Sequence, residues 1–414
     1  MPSDTDAARK VLDYIRSHWD ASVRRSPAKD NIVPIPIPYT APCIDGKFVA
    51  LFYWDTYWTN LGLIGQGRAD LAKSNCDALL WFVEQKGFVP NSNFRDCDNR
   101  SQPPYLSPMV RDVYETTGDK AWLARASATL QREYAFWMTQ RVTPAGLNRH
   151  GNHATDAYLL ERFSRALVRR LGKDPSLPNA EKIEIARHYL SEAETGWDFN
   201  PRFGGRCLDF CPADLNASLW LYEMNFAWFA RELGKPAEAP PWQTKAEKRR
   251  ALIDRLLWDD AGGLYRDYDH VHQRPGAVAS MATFLPLWSG LASPEQARRV
   301  RDNLARFERE FGVAACEPVP SDATYYQWGY PNGWPPLFHL CFEGLRRYGF
   351  DDDARRIARK YADLIIRHFQ QSGQLWEKFD VVTGGLAGGE YEAQPMLGWS
   401  AGVFVKACEV LGIK

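Results

Sequence analysis

The feature that most constrains this 414-residue chain is a set of glycine-bearing turns at Gly67, Gly118, Gly172, Gly234, Gly290 and Gly349, separated by 51, 54, 62, 56 and 59 residues. Each is followed within a few residues by an alanine-containing amphipathic run, as in GRADLAKS, GDKAWLARA and GLASPEQARRV. One tight helix-to-helix turn per unit of that size describes an αα-hairpin. Six hairpins set in a ring predict an all-α fold, an (α/α)6 barrel, occupying residues 1–414 as a single domain. Helical periodicity agrees: between Asp351 and Gln370 the apolar residues Ala354, Ile357, Ala358, Tyr361, Ala362, Ile365 and Phe369 follow the spacing of one helix face. Ser293-Pro294-Glu295-Gln296 predicts a helix start closed by a capping box. Strand alternation is nearly absent.

The segments between these runs are of another kind. IDGKFVALFYWDTYW, GFVPNSNFRDCDNRSQPP, SEAETGWDFNPRFGGR, YYQWGYPNGWPP and WEKFDVVTGGLAGGEYEAQP are rich in Trp, Gly, Asn, Gln and acid, poor for helix and good for a polar pocket lined by aromatic rings. If the tight turns share one rim of the ring, these long connections share the other, and the site belongs there. The aromatic usage points the same way, because sixteen tryptophans and eighteen tyrosines exceed the needs of a core. Rings with an apolar face and a polar tip suit the CH and OH faces of a sugar. Acidic and basic residues balance at 51 each, which argues against a nucleic-acid or anionic-membrane partner and for a small carbohydrate. The start of the chain, MPSDTDAARKVLDYIRSHW, has no basic stretch leading into an apolar core, and the expectation is a cytoplasmic protein. Nothing in the sequence reads the oligomeric state.

Hydrolysing a glycoside by the common route requires one carboxylic acid to protonate the leaving oxygen and one carboxylate to act on water or on the sugar. Burial beside aromatic rings raises a carboxyl pKa, as a general acid at neutral pH requires. Asp198, between Trp197 and Phe199, fits that role; Glu377, beside Lys378, has a cation to keep it ionised as a base. Asp55, Glu390, Asp214 and Asp322 compete, and their spacing does not choose among them. No GxSxG, HExxH, Walker or dinucleotide-binding motif is present, so no cofactor is expected. The eight cysteines read as free thiols, the Cys207–Cys211 pair included, and His150 and His153 as polar loop residues, so no metal is expected.

From about residue 34 to 405 the motifs resemble the trehalase family of inverting glycoside hydrolases, whose fold is the (α/α)6 barrel. GKFVALFYWDTYWTNLGL resembles the family's first signature and places Lys47, Phe48, Trp54 and Asp55 at the substrate. VPNSNFRDCDNRSQPP resembles its asparagine-and-arginine segment, with Asn91, Arg100 and Gln102 as sugar contacts. ETGWDFNPR resembles the catalytic-acid stretch, implying the acid role for Asp198 and a substrate-side place for Gly196; QWGYPNGWPP resembles the second signature, with Trp328 as sugar platform. WEKFD implies the base role for Glu377, and GGEYEAQPMLGWSAGV implies substrate contacts from Glu390 and Trp399.

Departures from the family pattern are informative. Gly-Gly-Arg-Phe is replaced by Asp45-Gly46-Lys47-Phe48, a following glutamate by Ala50, Arg-Pro-Glu-Ser-Tyr by Ala154-Thr155-Asp156-Ala157-Tyr158, and Gln-Trp-Asp by Gln327-Trp328-Gly329. Neither lysine nor alanine reproduces the forked donors of arginine. The expectation is therefore a conventional glucose site joined to an altered leaving-group site, with Asp156 among the substrate-binding residues. That describes an inverting α-glucosidase acting on trehalose or on a smaller osmolyte such as glucosylglycerol or glucosylglycerate, and Lys47 favours the glycerate. The rivals are a related barrel for mannosylglycerate or oligosaccharide glucosides, a non-catalytic sugar-binding barrel, and a helical scaffold. Retention of both proposed carboxylates argues against the sugar-binding barrel, and a scaffold would call for large exposed apolar grooves in place of a polar aromatic pit.

Overall fold

The computed structural model describes residues 4–25, 31–320 and 326–414. Fifteen α-helices are described: α1 Asp4–Ser22, α2 Asp55–Gly65, α3 Ala69–Lys86, α4 Leu106–Thr117, α5 Lys120–Gln140, α6 Asp156–Arg162, α7 Val168–Leu171, α8 Asn179–Glu194, α9 Ala213–Glu232, α10 Ala239–Leu256, α11 Leu285–Ser289, α12 Pro294–Asp302, α13 Pro335–Arg347, α14 Asp351–Ser372 and α15 Gly398–Leu411. All described strands are two residues long. Six helices pack in a closed circuit, α2 on α4, α4 on α9, α9 on α11, α11 on α13, α13 on α15 and α15 back on α2. The others, apart from α6 to α8, lie outside them, which is the (α/α)6 barrel.

All six turn glycines anticipated from the sequence have left-handed backbone, with φ between 59° and 84°. Glycine takes that conformation without the Cβ clash other residues suffer. Five of them, Gly67, Gly118, Gly234, Gly290 and Gly349, end inner helices and turn the chain to the outer layer. Gly172 differs. Its hairpin, α6 to α8, is held around its own apolar cluster of Ala154, Leu159, Phe163, Leu167, Ala186, Tyr189, Leu190 and Phe199. It is an insertion between the second and third inner helices, and the ring's sixth pair is instead made by the chain ends, with α1 packing on α14 and α15. A glycine count sees turns and cannot see which face of a hairpin is buried. The capping box at Ser293 and Gln296 forms as expected, and the apolar face of α14 is buried from Ala354 to Ile365.

Closure of the ring depends on two further glycines. A Cβ on Gly402 would lie 1.8 Å from the Trp58 carbonyl oxygen, and one on Gly62 would lie 2.7 Å from the Gly402 Cα, so α2 and α15 touch backbone to backbone. Gly402→Ala is expected to force them apart and cost about 1–3 kcal/mol, the usual range for overpacking a well-filled core. Urea denaturation measures it, and an unchanged midpoint would contradict the close approach.

Candidate active site

Because five of the tight turns end inner helices, the long connections lead into the N-termini of the next ones. Lys47 to Trp54 precede α2, Asn91 to Gln102 precede α4, Gly196 to Asp198 lie on the way to α9, Trp328 precedes α13, and Glu377 to Glu390 precede α15. The proposed residues are thus delivered to one mouth, where the positive ends of the helix dipoles favour negative charge. A short antiparallel ladder pairing Asn332–Gly333 with Phe379–Asp380 ties the Trp328 loop to the Glu377 loop.

Indole rings form the floor. Trp328 stacks on Trp334 with centroids 3.9 Å apart, and it lies 5.5 Å from both Trp54 and Trp197 and 6.4 Å from Trp399. The backbone at Gly196 passes so close to Trp54 that an added Cβ would sit 2.6 Å from the ring, and its φ is +73°. Glycine is required there on both counts. Three residues on, Phe199 has φ +63°, a conformation bulky residues rarely take. Asp198 stands between these two left-handed residues on a constrained turn, partly accessible from the mouth. Asn200 fastens the turn by donating to the Trp197 carbonyl at 2.7 Å.

Glu377 is buried at 1% exposure. One carboxylate oxygen accepts from the Tyr391 hydroxyl at 2.6 Å and the other from the Gln394 amide at 3.4 Å, while Trp399 donates its indole N–H to the Glu377 carbonyl at 3.2 Å. Burial pushes its carboxyl up to about 7, against the opposing pull of Lys378 and the Tyr391 hydrogen bond. Lys378 therefore pulls toward the ionised form, as its place beside Glu377 predicts, while burial outweighs it. Lys378 is itself brought down to about 8 by burial. Burial also raises Asp198, with Arg100, Arg162, Arg170 and Lys47 pulling the other way. Asp55, at the start of α2, is raised to about 8, first by burial and then by the charges of Glu377 and Asp198. The three carboxyls share one field.

The remaining residues take distinct places. Gln102 accepts from the Trp54 backbone N–H at 3.1 Å, and Asn91 donates to the Ala193 carbonyl at 3.1 Å, so both knit the floor together. Arg100 is buried and donates to the Asp96 and Asn99 oxygens. Lys47 lies over the Tyr391 ring at 3.4 Å, and Phe48 is 5.8 Å from the same ring. Glu390 forms an ion pair with Arg170. The glycine run from Gly384 to Gly389 opens as a fastened turn, with the Gly384 amide donating to Asp380 and its carbonyl meeting His368.

Asp156 is not brought to the site. It begins α6 with its side chain 68% exposed and pairs with Arg187 at 2.7 Å, because the hairpin that carries it turns that end outward. Asp214 is buried against Arg202 at 2.8 Å; burial would raise its carboxyl, but Arg202 holds it below the ordinary value, which suits a structural anion. Asp322 lies outside the described residues. His150 and His153 surround the Arg141–Glu194 pair, and among the described residues no group of three or more His, Cys, Asp or Glu is placed to hold a metal. Tyr391, Arg162 and Arg170 were missed by the sequence reading, although Tyr391 stands inside the GGEYE segment.

A base must be ionised to act, so activity should rise with pH through the titration of Glu377. Tyr391→Phe removes a donor that favours the anion, and is expected to move the acid limb of kcat/KM to higher pH. A limb that stays in place or moves down would contradict this arrangement.

The trehalase family's profile matches residues 3–412. The chain belongs to the trehalase family. It is 33% identical to a periplasmic trehalase of Pseudomonas aeruginosa, over 98% of this chain and 78% of the relative, and 31% identical to one of Xanthomonas campestris pv. campestris, over 97% and 74%. Neutral trehalase Nth1 from Saccharomyces cerevisiae superposes with a TM-score of 0.77 at 27% identity, covering 96% of this chain and 80% of that one. A GH63 mannosylglycerate hydrolase from Thermus thermophilus shares the fold, with a TM-score of 0.64 at 20% identity over 97% and 99%. The chain is a glycoside hydrolase. Neither bacterial relative supports the cytoplasmic expectation, since both are named for the periplasm. Among the described residues no helix is long and apolar enough to cross a membrane.

Proposed function

We propose that this trehalase-family member hydrolyses a small α-glucoside, trehalose or a glucosylated osmolyte such as glucosylglycerol or glucosylglycerate, with inversion. Asp198 protonates the glycosidic oxygen as the bond stretches, and Glu377 takes a proton from a water on the opposite face of the ring. The observation that carries this reading is that Asp55, Tyr391 and Lys47 each feel the charges of both Asp198 and Glu377 beside the tryptophan cluster, with both of those carboxyls raised by burial. Trp328, 2% exposed and stacked on Trp334, forms part of the aromatic wall beside the sugar's place, and the Asp55 carboxyl, raised to about 8 by burial, can donate a hydrogen bond to a hydroxyl when protonated.

The departures from the family pattern support a changed leaving-group side. Ala50 is fully buried, Ala154 packs in the apolar cluster of the inserted hairpin, and a side chain at Gly329 would lie 2.8 Å from Tyr326 Cβ. None of the three offers a charge to the substrate. Glucose released from trehalose, glucosylglycerol, glucosylglycerate and kojibiose tests the reading; strong preference for trehalose would contradict the altered site, and no release from any of them would contradict the function. Eight free cysteines, seven of them buried, support a reducing compartment. A disulfide in the native protein would count against that.

A further inference from the structure

The inserted hairpin brings to the mouth charges that the sequence motifs do not foretell. Arg162 ends α6 and Arg170 lies in α7, with a π-helical stretch, Phe163–Leu167, between them. In an uninterrupted α-helix, residues eight apart point about 80° away from each other. A π turn absorbs one extra residue and reduces that angle to about 20°, so both arginines share a face. On that face Arg170 pairs with Glu390 and reaches the Tyr189 hydroxyl, and the charges of Arg100, Arg162, Arg170 and Lys47 all act on the Asp198 carboxyl. The neighbouring residues of the same run do not: Arg165 is exposed and pairs with Glu161, and Arg169 is exposed.

These cations are incompletely answered within the chain. Arg170 pairs with Glu390 and donates to the Tyr189 hydroxyl at 2.7 Å. Among the described residues Arg162 has neither a carboxylate nor a hydrogen-bond acceptor, and the buried Nε atoms of Arg100, Arg162 and Arg170 all lack a partner. Buried donors without acceptors are costly, and three of them clustered around one carboxyl are open to a partner supplied by substrate or water. The chemistry adds a second requirement. Four cations around a general acid oppose the proton it must carry, so this acid works best when the substrate brings a compensating negative charge beside the bond to be cut.

We propose that Arg162 and Arg170, with Lys47 across the mouth, form the leaving-group subsite, and that it takes an α-glucoside whose aglycone bears a carboxylate. This rests on the α-glucosidase reading above and narrows its substrate class. The aglycone carboxylate accepts from Arg162, which is free to receive it, and its charge offsets the cations that otherwise disfavour protonated Asp198. Binding the correct substrate thereby readies the acid.

The test compares kcat/KM for glucosylglycerate and glucosylglycerol, which differ by a carboxylate in place of a hydroxymethyl group, at low and raised salt. The carboxylated glucoside should be preferred about 10- to 100-fold, as expected for one charge-assisted contact, and its KM alone should rise with salt. Arg162→Gln should collapse the ratio of the two kcat/KM values toward one, and Arg162→Lys should restore part of it. Equal or better turnover of glucosylglycerol or trehalose by the unaltered enzyme would overturn the proposal and leave the α-glucosidase reading standing. An Arg162→Gln loss equal on both glucosides would overturn it too. Failure to hydrolyse all three would remove the α-glucosidase reading, and the proposal with it. Should the variants fail to fold, the comparison in the unaltered enzyme decides.

Discussion

Asp198→Asn is expected to lower kcat by about 10²–10⁴-fold, the contribution of a well-placed general acid, while leaving the protein at least as stable as before. The amide keeps the size of the carboxyl and cannot give up a proton to the leaving oxygen. Stability follows from the direction of the shift. Burial, though opposed by the nearby cations, raises the Asp198 carboxyl above its ordinary value. A carboxyl raised on folding contributes stability that is fully present below its unfolded pKa and is lost as pH rises through the folded one, above which the ionised side chain is a cost that the amide removes. Glu377→Gln should behave in the same way, since its carboxyl is also raised, to about 7. Steady-state kinetics with thermal denaturation separates the two effects. An Asp198→Asn protein of near-normal activity would remove Asp198 from the mechanism.

Arg202→Met should be among the most destabilising substitutions in the chain, at about 3–5 kcal/mol, the usual cost of removing one partner from a buried ion pair. Arg202 is fully buried and contacts Asp214 at 2.8 and 3.0 Å and Asp267 at 2.9 and 2.7 Å. Without it two buried carboxylates face one another. The pH dependence has a definite sign. Asp214 is held below its ordinary value by Arg202 despite its burial. The stability it contributes is therefore present above its unfolded pKa and lost as pH falls through the folded one, and Arg202→Met should lose that acid-sensitive part. Activity should fall as well, because the Arg202 guanidinium lies 4.5 Å from the Trp197 ring beside the acid. Urea unfolding at pH 7 and pH 4 measures the loss; a destabilisation below about 1 kcal/mol would contradict a buried, fully paired role.

The barrel was legible because a tight helix-to-helix turn demands a left-handed residue, and glycine supplies it at each of the six positions picked out. The same signal misassigned the Gly172 hairpin to the ring, since a turn does not reveal which helix face is buried. Asp198, Glu377 and the tryptophan floor were legible through their aromatic neighbours and the family motifs. Arg162 and Arg170 were not. No motif marks them in ERFSRALVRRL, and the π turn between them, which brings the two onto one face, leaves no signature in the residue pattern. Asp156 differs for the opposite reason: its motif place was carried over, while its side chain stands exposed at the start of α6 and pairs with Arg187. Gly196 owes its place to the ring of Trp54, a contact distant in sequence that no local pattern records.

The measurement that bears most directly on a paired acid and base is the configuration of the sugar first released. An aglycone without a second glucose, glycerate or glycerol, makes the answer unambiguous, because all glucose then comes from the attacked ring. Proton NMR of the first minutes of hydrolysis, before mutarotation, should show β-glucose growing in ahead of α, the result of Glu377 delivering water opposite the bond that Asp198 protonates. α-Glucose appearing first would mean retention through a covalent intermediate, and would contradict the account.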